Sequence, residues 1–295
     1  MNTTLARILR VPLTVAAIWV VLAIATPLAM ARYAFYVPRP GITCTSLSFT
    51  PAGIVSTFTC RSLADIYHRS FEDLMVDATF RSVALLLGAG VLALVLGGLI
   101  GVTAALLRRR AFAGGGILGL TSLLSAIPAF FVAYFLQIAV IVLGASETGG
   151  RLLPVFGFGY DEHLVLPLVA ISLPAIAHTA QLAATRIGDV LDADFITAAN
   201  AKGLRTSWIL AVHVLPHVRP VVLEGLGGGL RISVASLPIV EFLFKWGGIG
   251  QLSLEAVGVH DAAGFVFGAV VLGALFAVLG AIADISRPRA LFRSA

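Results

Sequence analysis

Six long apolar segments, separated by polar stretches, pattern the whole chain. Each is longer than a buried strand, and the sequence has no alternating ten-residue segments of the kind that form membrane β-barrels. A bilayer core is about 30 Å thick, so a helical crossing needs about 20 mostly apolar residues. The pattern therefore predicts an all-α polytopic transmembrane bundle with spans at 8–30, 82–107, 117–143, 164–187, 218–240 and 265–285.

The first apolar segment has two interpretations. Arg7 and Arg10 stand at its start and the small-residue triplet 29–31 at its end, as in a cleavable signal peptide. Signal-peptide cores have about 7–15 apolar residues, whereas the stretch 11–30 has about 20. Its length favours retention, so residues 1–31 are expected to form the first transmembrane helix.

The longest polar region, residues 32–77, lies between the first two predicted spans and contains both cysteines. Cys44 and Cys60 are 16 residues apart in a segment rich in Thr, Ser, Pro and Gly. An oxidising extracytoplasmic compartment would allow them to form a disulfide that closes a small lobe. The alternative is two unpaired thiols, and a metal site would need more ligands.

Composition and charge agree with a membrane protein and indicate its orientation. Hydrophobic residues make up 59% and charged residues 12% of the chain, against about half and a quarter in soluble domains. Twelve Lys and Arg residues fall on the side of the N-terminus and seven on the other, so the positive-inside rule predicts that both termini are cytoplasmic. The net charge of +5 thus indicates topology and contact with anionic membrane lipid, and it gives no support to nucleic-acid binding.

The most informative polar stretch is residues 189–217, which this topology places in the cytoplasm between spans four and five. It is amphipathic and too polar to enter lipid. Ala198 and Ala199 keep one helical region slim, Gly203 is its predicted C-terminal cap, and Leu204 would supply the accompanying hydrophobic contact. The pattern predicts a short helix-turn-helix outside the bilayer.

At this loop the sequence resembles the permeases of ABC importers. Their cytoplasmic loop carries an EAA motif with paired alanines, a glycine four residues later and a Leu-Pro further on. The corresponding residues here are Ala198, Ala199, Gly203, Leu215 and Pro216. Thr197 stands where the general motif has its glutamate, an acid that the peptide class of these permeases often lacks as well.

The peptide and nickel class is the most similar one. Residues 195–204 read FITAANAKGL, and residues 240–256, which include Trp246, follow a second segment of that class without a gap. Weaker similarity begins near Thr79, so about three quarters of the chain resembles the class. Residues 31–61 lack the Pro-Gly-Asp-Pro element that usually follows the first span. The resemblance implies a permease domain over residues 78–295.

The resemblance implies that the loop couples this chain to separate ATPase subunits. Its short helix would dock in a groove on the ATPase, whose ATP-driven closure would switch the spans between outward and inward openings. Lys202 or Arg205 would then pair with ATPase carboxylates. The alternative is an ordinary surface helix with a glycine cap. The predicted coupling residues are Asp194, Thr197, Ala198, Ala199, Lys202, Gly203, Leu204 and Arg205.

The resemblance also implies the other parts of a bacterial inner-membrane importer. These are a second permease subunit in a heterodimer, two cytoplasmic ATPase subunits and an extracytoplasmic solute-binding protein. The sequence has no GxxxxGK[ST] phosphate loop, so ATP and Mg are expected in the ATPase subunits, and no catalytic residue, cofactor or metal is expected in this chain. The solute stays open among peptides, nickel complexes, siderophores and sugar-linked peptides.

Ionisable residues inside the predicted spans are candidates for function, because their exposure to lipid is costly. Glu224 and Arg231 lie seven residues apart, about two helical turns, and so share a face of span five. His178 and Gln181 share a face of span four. These four residues would line a translocation path, or they would make structural contacts with neighbouring helices or the partner subunit.

Pro128, Pro174 and Pro238 fall within predicted spans, where each removes a backbone hydrogen bond and is expected to kink its helix. Such kinks serve either as gating hinges or as packing features. The sequence alone favours neither interpretation.

A second class of function is a stand-alone proton-coupled carrier or a polytopic membrane enzyme. Glu224, Arg231 and His178 are the features in its favour. Against it, the chain shows no matching halves of the kind typical of secondary carriers, and its histidines are scattered rather than clustered.

Overall fold

The computed structural model describes residues 12–13, 15–17, 20, 63–108, 111–146, 153–259 and 261–286, and within these ranges the chain is all-α. The described residues between 12 and 20 are helical, as expected for the first span. Most of that span and the loop with Cys44 and Cys60 lie outside the described residues. Retention of the first helix and the disulfide therefore stay predictions.

Helices joined by short breaks account for most of the described residues. Two of the joints are π-helical, at Ala93–Gly97 and Ile209–Val214. The α-helices are α1 (Leu63–Tyr67), α2 (Phe71–Leu92), α3 (Gly98–Leu106), α4 (Ala111–Ala126), α5 (Ala129–Ser146), α6 (Val165–Leu191), α7 (Asp194–Ala201), α8 (Thr206–Trp208), α9 (Leu215–Phe244), α10 (Ile249–Val259) and α11 (Ala262–Ser286).

Four helical runs in the described residues are long and apolar enough to cross a membrane. They contain the predicted spans two, four, five and six almost entirely, and most of them extend beyond these spans because the helix continues into polar flanks. The first run has 36 residues, which is about 54 Å at 1.5 Å per residue. The four runs are Phe71–Leu106, Glu162–Leu191, Thr206–Phe244 and Ala263–Asp284.

The predicted third span is two helices, not one. Gly114–Ala126 and Ala129–Gly144 meet at an angle of 94°. Pro128 lies in the break. Its ring excludes a regular helix and disfavours helical backbone at the preceding residue, which accounts for the interruption. Its carbonyl accepts the Phe131 N–H at 3.0 Å and so starts α5. The expected kink is therefore a complete interruption here, whereas α6 and α9 run on through Pro174 and Pro238.

The chain divides into two compact units, and the long helices contribute to both. The first unit comprises Met1–Leu85, Ala133–Leu168 and Val234–Val278. The second comprises Leu86–Val132, Val169–Ser233 and Leu279–Ala295.

In the first unit, α1, the start of α2 and α10 share a core. Its buried side chains are Leu63, Leu74, Met75, Ala78, Ile249, Leu252 and Ala256. Buried Asp261 holds two helix starts at once, because its Oδ2 accepts the Leu63 N–H at 2.8 Å and its Oδ1 accepts the Gly264 N–H at 3.0 Å. These backbone donors have no partner within their own helices, so the carboxylate caps both α1 and α11.

In the second unit, glycines bring two helical elements close to α6. Gly97 and Gly101 are four residues apart, as are Gly225 and Gly229 of α9. At each of these positions an added Cβ would come within 2.6–3.2 Å of an atom of α6. Small residues at this spacing let membrane helices pack backbone to backbone. The pairs fix α6 between two neighbours in this unit.

Candidate functional site

Loop 189–217 lies entirely in the second unit and begins at the end of α6. The Ala193 N–H donates to the Val190 carbonyl at 3.1 Å, and Ala193 itself is extended, which turns the chain out of α6. α7 begins at Asp194, whose carboxylate stands at the end of the helix where a negative charge is favourable. A separate short helix thus follows α6, as predicted.

Gly203 ends α7 in the manner expected of a C-terminal cap. Its φ is +73°, a backbone conformation that costs little only for glycine. The Gly203 N–H donates to Asn200 O at 2.9 Å, and the Leu204 N–H donates to Ala199 O at 3.3 Å. This pair of bonds defines a Schellman motif and satisfies two carbonyls at the end of the helix. The predicted cap is confirmed.

The two alanines of the loop motif face different environments. Ala199 is buried with Ile196 on the inner face of α7, whereas Ala198 is exposed. The small size of Ala199 therefore serves packing within this chain, and of the two alanines only Ala198 is available to a partner. The core beneath α7 also contains Ala105, Ala183, Ile187, Val190, Ile209, Val214 and Val218.

Between the start of α7 and the end of α8, three large apolar side chains are exposed. Leu204 is one of the predicted coupling residues, whereas the sequence pattern did not assign Phe195 and Trp208 to the site. Phe195 is 44% exposed, Leu204 37% and Trp208 57%. The ring of Phe195 lies 5.4 Å from that of His217. The predicted coupling residues Asp194, Thr197, Lys202, Gly203 and Arg205 are exposed as well. Large apolar residues on the outer face of a short amphipathic helix were the available signal.

The second half of the loop is continuous with span five. Helix runs from Thr206 to Phe244, so the expected separate second helix is the beginning of that span. The joint Ile209–Val214 is π-helical, and the Leu215 N–H donates to the carbonyl of Leu210, five residues earlier. Pro216, one residue further, has no N–H and would crowd a carbonyl one turn before it in a regular α-helix. Wider π turns of this kind are frequent at functional sites.

The four ionisable or polar residues predicted within the spans also belong to the second unit. The Nε2 of His178 lies 2.8 Å from the position that a Cβ on Gly228 would occupy. Gln181 makes a long hydrogen bond of 3.4 Å to Ser125.

Arg231 packs against α11 in the same unit. Its guanidinium lies 3.5 Å from the position that a Cβ on Gly280 would occupy. Gln181 thus contacts α4, Arg231 contacts α11, and His178 lies beside α9 at Gly228. Their predicted role in lining a path stays a prediction.

The segment around Trp246 forms a buried polar site in the first unit that the sequence pattern did not reveal. Glu241 is fully buried, and its carboxylate accepts the Ser82 hydroxyl at 2.5 Å and the N–H groups of Gly250 and Gln251 at 2.8 and 3.1 Å. Ser82 Oγ in turn accepts the Ile249 N–H at 2.8 Å. Glu241 and Ser82 together cap the N-terminus of α10 from outside that helix.

Trp246 is fully buried in the same unit and lies in the break between α9 and α10. Its Nε1–H donates to the Arg81 carbonyl at 3.3 Å, and its ring packs at 4.9 Å on Phe158. The Arg81 guanidinium covers the Phe158 ring at 3.9 Å. Lys245 and Gly247 have φ of +56° and +72°, which reverses the chain there. The segment 240–256 is thus an internal structural centre.

The loop 153–161, which precedes α6, completes this centre. The Gly157 N–H donates to the Phe244 carbonyl at 2.8 Å. Near its end, Asp161 Oδ1 accepts the backbone N–H of His163 at 3.0 Å and contacts the Nδ1 of its ring at 2.7 Å. These hydrogen bonds from His163 hold the pKa of Asp161 below its usual value.

Comparison with known proteins identifies a family for this arrangement. Residues 97–291 match the family described as binding-protein-dependent transport system inner membrane component. The matched region contains both loop 189–217 and the Trp246 segment. It begins later than the similarity expected from Thr79.

Curated relatives are similar at low identity. A Brucella ovis protein provisionally named a peptide permease is 28% identical over 211 residues, which are 68% of this chain and 65% of that protein. The peptide transport system permease protein SapB of Salmonella typhimurium is 29% identical over 54% of this chain and 57% of its own length. The metal-staphylopine import system permease protein CntB of Staphylococcus aureus is 27% identical, over 63% and 58%. The matches thus cover less than two thirds of these relatives.

Proposed function

The chain belongs to the family of binding-protein-dependent transport system inner membrane components, and from this premise we propose that it is the permease subunit of an ATP-driven ABC importer for peptides or similar small solutes. The family consists of membrane components of transport systems and not of enzymes. The four long apolar helical runs make the chain a multi-pass membrane protein. In this proposal, the spans of the chain form half of the translocation path.

Loop 189–217 is the proposed contact with a cytoplasmic ATPase subunit. The observation that carries this assignment is that α7 is buried on one side and exposed on the other, together with the exposed short helix α8. Ile196 and Ala199 anchor the helix in the chain's own core, while Ala198 and the apolar side chains of Phe195 and Trp208 stay exposed. A groove on a partner would bury that exposed surface. Lys202 and Arg205 add positive charge at its edge for carboxylates of the ATPase.

A rigid attachment would let this contact act as a lever. The buried face of α7 packs on Ile187 and Val190 of α6 and on Val214 and Val218 at the start of span five. A displacement of α7 by a closing ATPase pair would therefore move both helices instead of bending the loop alone. ATP and Mg belong to the ATPase subunits in this scheme.

The remaining partners and the solute follow from the family and its members' names. A second permease subunit, two ATPase subunits and an extracytoplasmic solute-binding protein would complete the transporter, with both termini of this chain in the cytoplasm. Two of the relatives are named for peptides and one for metal-staphylopine. Peptides and related small chelating solutes are the proposed substrates. His178, Gln181, Glu224 and Arg231 are the proposed polar residues along the path.

Purification of the chain from membranes of its own host tests this function. We expect ATPase subunits with a phosphate-binding loop to co-purify in about a 1:1 ratio with the two permease subunits taken together. Changing Phe195 and Trp208 together to serine should abolish this association while the chain still inserts. Phe156→Ser is the control, because Phe156 is an equally exposed aromatic residue between α5 and α6, outside loop 189–217. Retention of the ATPase by the double variant, or its absence from the unaltered chain, would reject the proposal.

A further inference from the structure

Arg108 contacts three parts of the second unit beside loop 189–217. Its Nη1 donates to the carbonyl of Ala105 at 3.2 Å, at the end of α3. Its Cδ lies 3.7 Å from the position of an added Cβ on Gly188, so its stem runs over α6. Its Nη2 donates to Asp192 Oδ1 at 2.5 Å. One side chain thus joins α3, α6 and the short link formed by Asp192 and Ala193, which leads into α7.

The backbone of Arg108 is held in place as well. An added Cβ on Gly114 would lie 2.8 Å from the Arg108 Cα and 2.9 Å from the Leu107 carbonyl. α4 therefore packs closely against the turn after α3, and the arginine has little freedom to shift with its side chain. A guanidinium fixed in this way is a firm attachment point for a carboxylate.

Asp192 is placed where such an attachment controls α7. It stands between the end of α6 at Leu191 and the start of α7 at Asp194. Ala105, whose carbonyl also binds Arg108, belongs to the same core as Ile196 and Ala199 of α7. The ion pair and this core thus connect α7 to α3 at two adjacent points.

We propose that Arg108 and Asp192 are a positioning pair that ties loop 189–217 to the inner end of the second span. The inference rests on the proposed function of that loop. The covalent chain connects α7 only to α6 and α9, and the pair adds α3. A displacement of α7 by the ATPase is then delivered to three spans together. Arg108 is one of the twelve basic residues that the positive-inside rule counts on the side of the N-terminus, and this contact gives it a second role.

The contribution of the pair to folding should be small. The side chain of Asp192 is 61% exposed and that of Arg108 26%, and partly exposed ion pairs stabilise proteins weakly. A positioning role predicts a different result from a structural one. Loss of the pair should leave the folded chain in the membrane but misplace α7, and exchange of the two charges should restore it.

Charge exchange in the full transporter, purified with its ATPase subunits in lipid nanodiscs, tests the pair. We expect Arg108→Glu and Asp192→Arg each to lower ATP hydrolysis about fivefold or more, and the double exchange to recover to within about twofold, as interacting residues do in a double-mutant cycle. Arg108→Lys keeps the topological charge but loses the planar guanidinium, and it should give an intermediate rate. Arg219→Glu, at an exposed arginine of the same predicted side, is the matched control and should leave hydrolysis unchanged.

Hydrogen exchange of the amides of 194–204, measured on the same variants of the full chain in nanodiscs without ATPase subunits, is a second and independent readout. Each single charge reversal should speed exchange, and the double exchange should slow it again. Additive effects of the two substitutions on exchange, or normal hydrolysis in both single variants, would overturn the positioning role. A chain that binds no ATPase would reject the proposed function, and the exchange data would still decide whether the pair holds the loop.

Discussion

The segment around Trp246 and loop 189–217 carry the two clearest sequence resemblances to transport permeases, yet the structure uses them in opposite ways. In the first, Glu241 and Trp246 are fully buried and their polar atoms bind groups of the same unit. In the second, the inner face of α7 is buried with a few neighbouring apolar residues of the loop, whereas residues such as Trp208 stay exposed. A recognisable motif can therefore serve either the chain's own fold or a surface for a partner.

The energetic consequences of the two arrangements differ. A buried carboxylate that caps a helix cannot be removed without leaving backbone donors unsatisfied, and each such group costs about 1–3 kcal/mol. Exposed side chains on α7 cost little when changed, because water replaces the missing contacts. Substitutions in the first region should thus act on stability, and substitutions in the second should act on association with a partner.

Replacement of Glu241 by leucine should produce the largest loss of stability. The N–H groups of Gly250 and Gln251 and the Ser82 hydroxyl would lose their acceptor, so the free energy of unfolding should fall by at least about 3 kcal/mol. Thermal unfolding in detergent measures this. Glu241→Gln keeps the shape and one acceptor oxygen and should lose about half as much. An unchanged melting temperature for Glu241→Leu would show that this cap is not important.

Replacement of one glycine in each region by alanine compares the stability of the two regions more directly. A Cβ on Gly250 would lie 2.6 Å from the Pro238 Cα, so Gly250→Ala should lower stability by about 1–3 kcal/mol through overpacking. A Cβ on Gly203 would meet open space, and only its φ of +73° opposes it, so Gly203→Ala should cost about 1 kcal/mol. Denaturation of both variants compares them. A larger loss for Gly203→Ala than for Gly250→Ala would contradict the contrast.

The smallest expected effect concerns pH and the loop that ends at Asp161. The carboxyl pKa of Asp161 is lower in the folded chain than in an unfolded one, because His163 donates hydrogen bonds to this carboxylate. The stabilisation is therefore complete above the unfolded pKa of about 3.9 and is lost as the pH falls through the lower folded value. Hydrogen exchange of the Gly157 amide should be protected equally at pH 5 and 7 and less below pH 4. Asp161→Asn should remove this dependence, and a change between pH 5 and 7 would contradict it.

The sequence was sufficient for the features that depend on local pattern. The apolar segments located the described spans, because about 20 apolar residues in a row have few alternatives to a helix in lipid. Gly203 was identifiable as a C-terminal cap because it directly follows the predicted helix. A helix end of this kind needs a residue with positive φ, which glycine adopts readily.

Features that depend on distant residues were not predictable. Nothing local to Glu241 indicates that Ser82 and the start of α10 converge on it. The paired alanines looked equivalent in sequence, and only the core beneath α7 separates buried Ala199 from exposed Ala198. Pro128 was expected to kink its helix as other prolines do, but the degree of interruption depends on packing around the break.

The central claim is that loop 189–217 couples this chain to a separate ATPase, and Gly203→Asp tests it most directly. Gly203 has open space around a Cβ, so the substitution strains only the turn that ends α7 and leaves the spans intact. Insertion, ATPase association and uptake of the radiolabelled tripeptide trialanine are measured on the same membranes. We expect normal insertion with uptake lost and the ATPase released or uncoupled. Unimpaired uptake by the aspartate variant would contradict the coupling assignment.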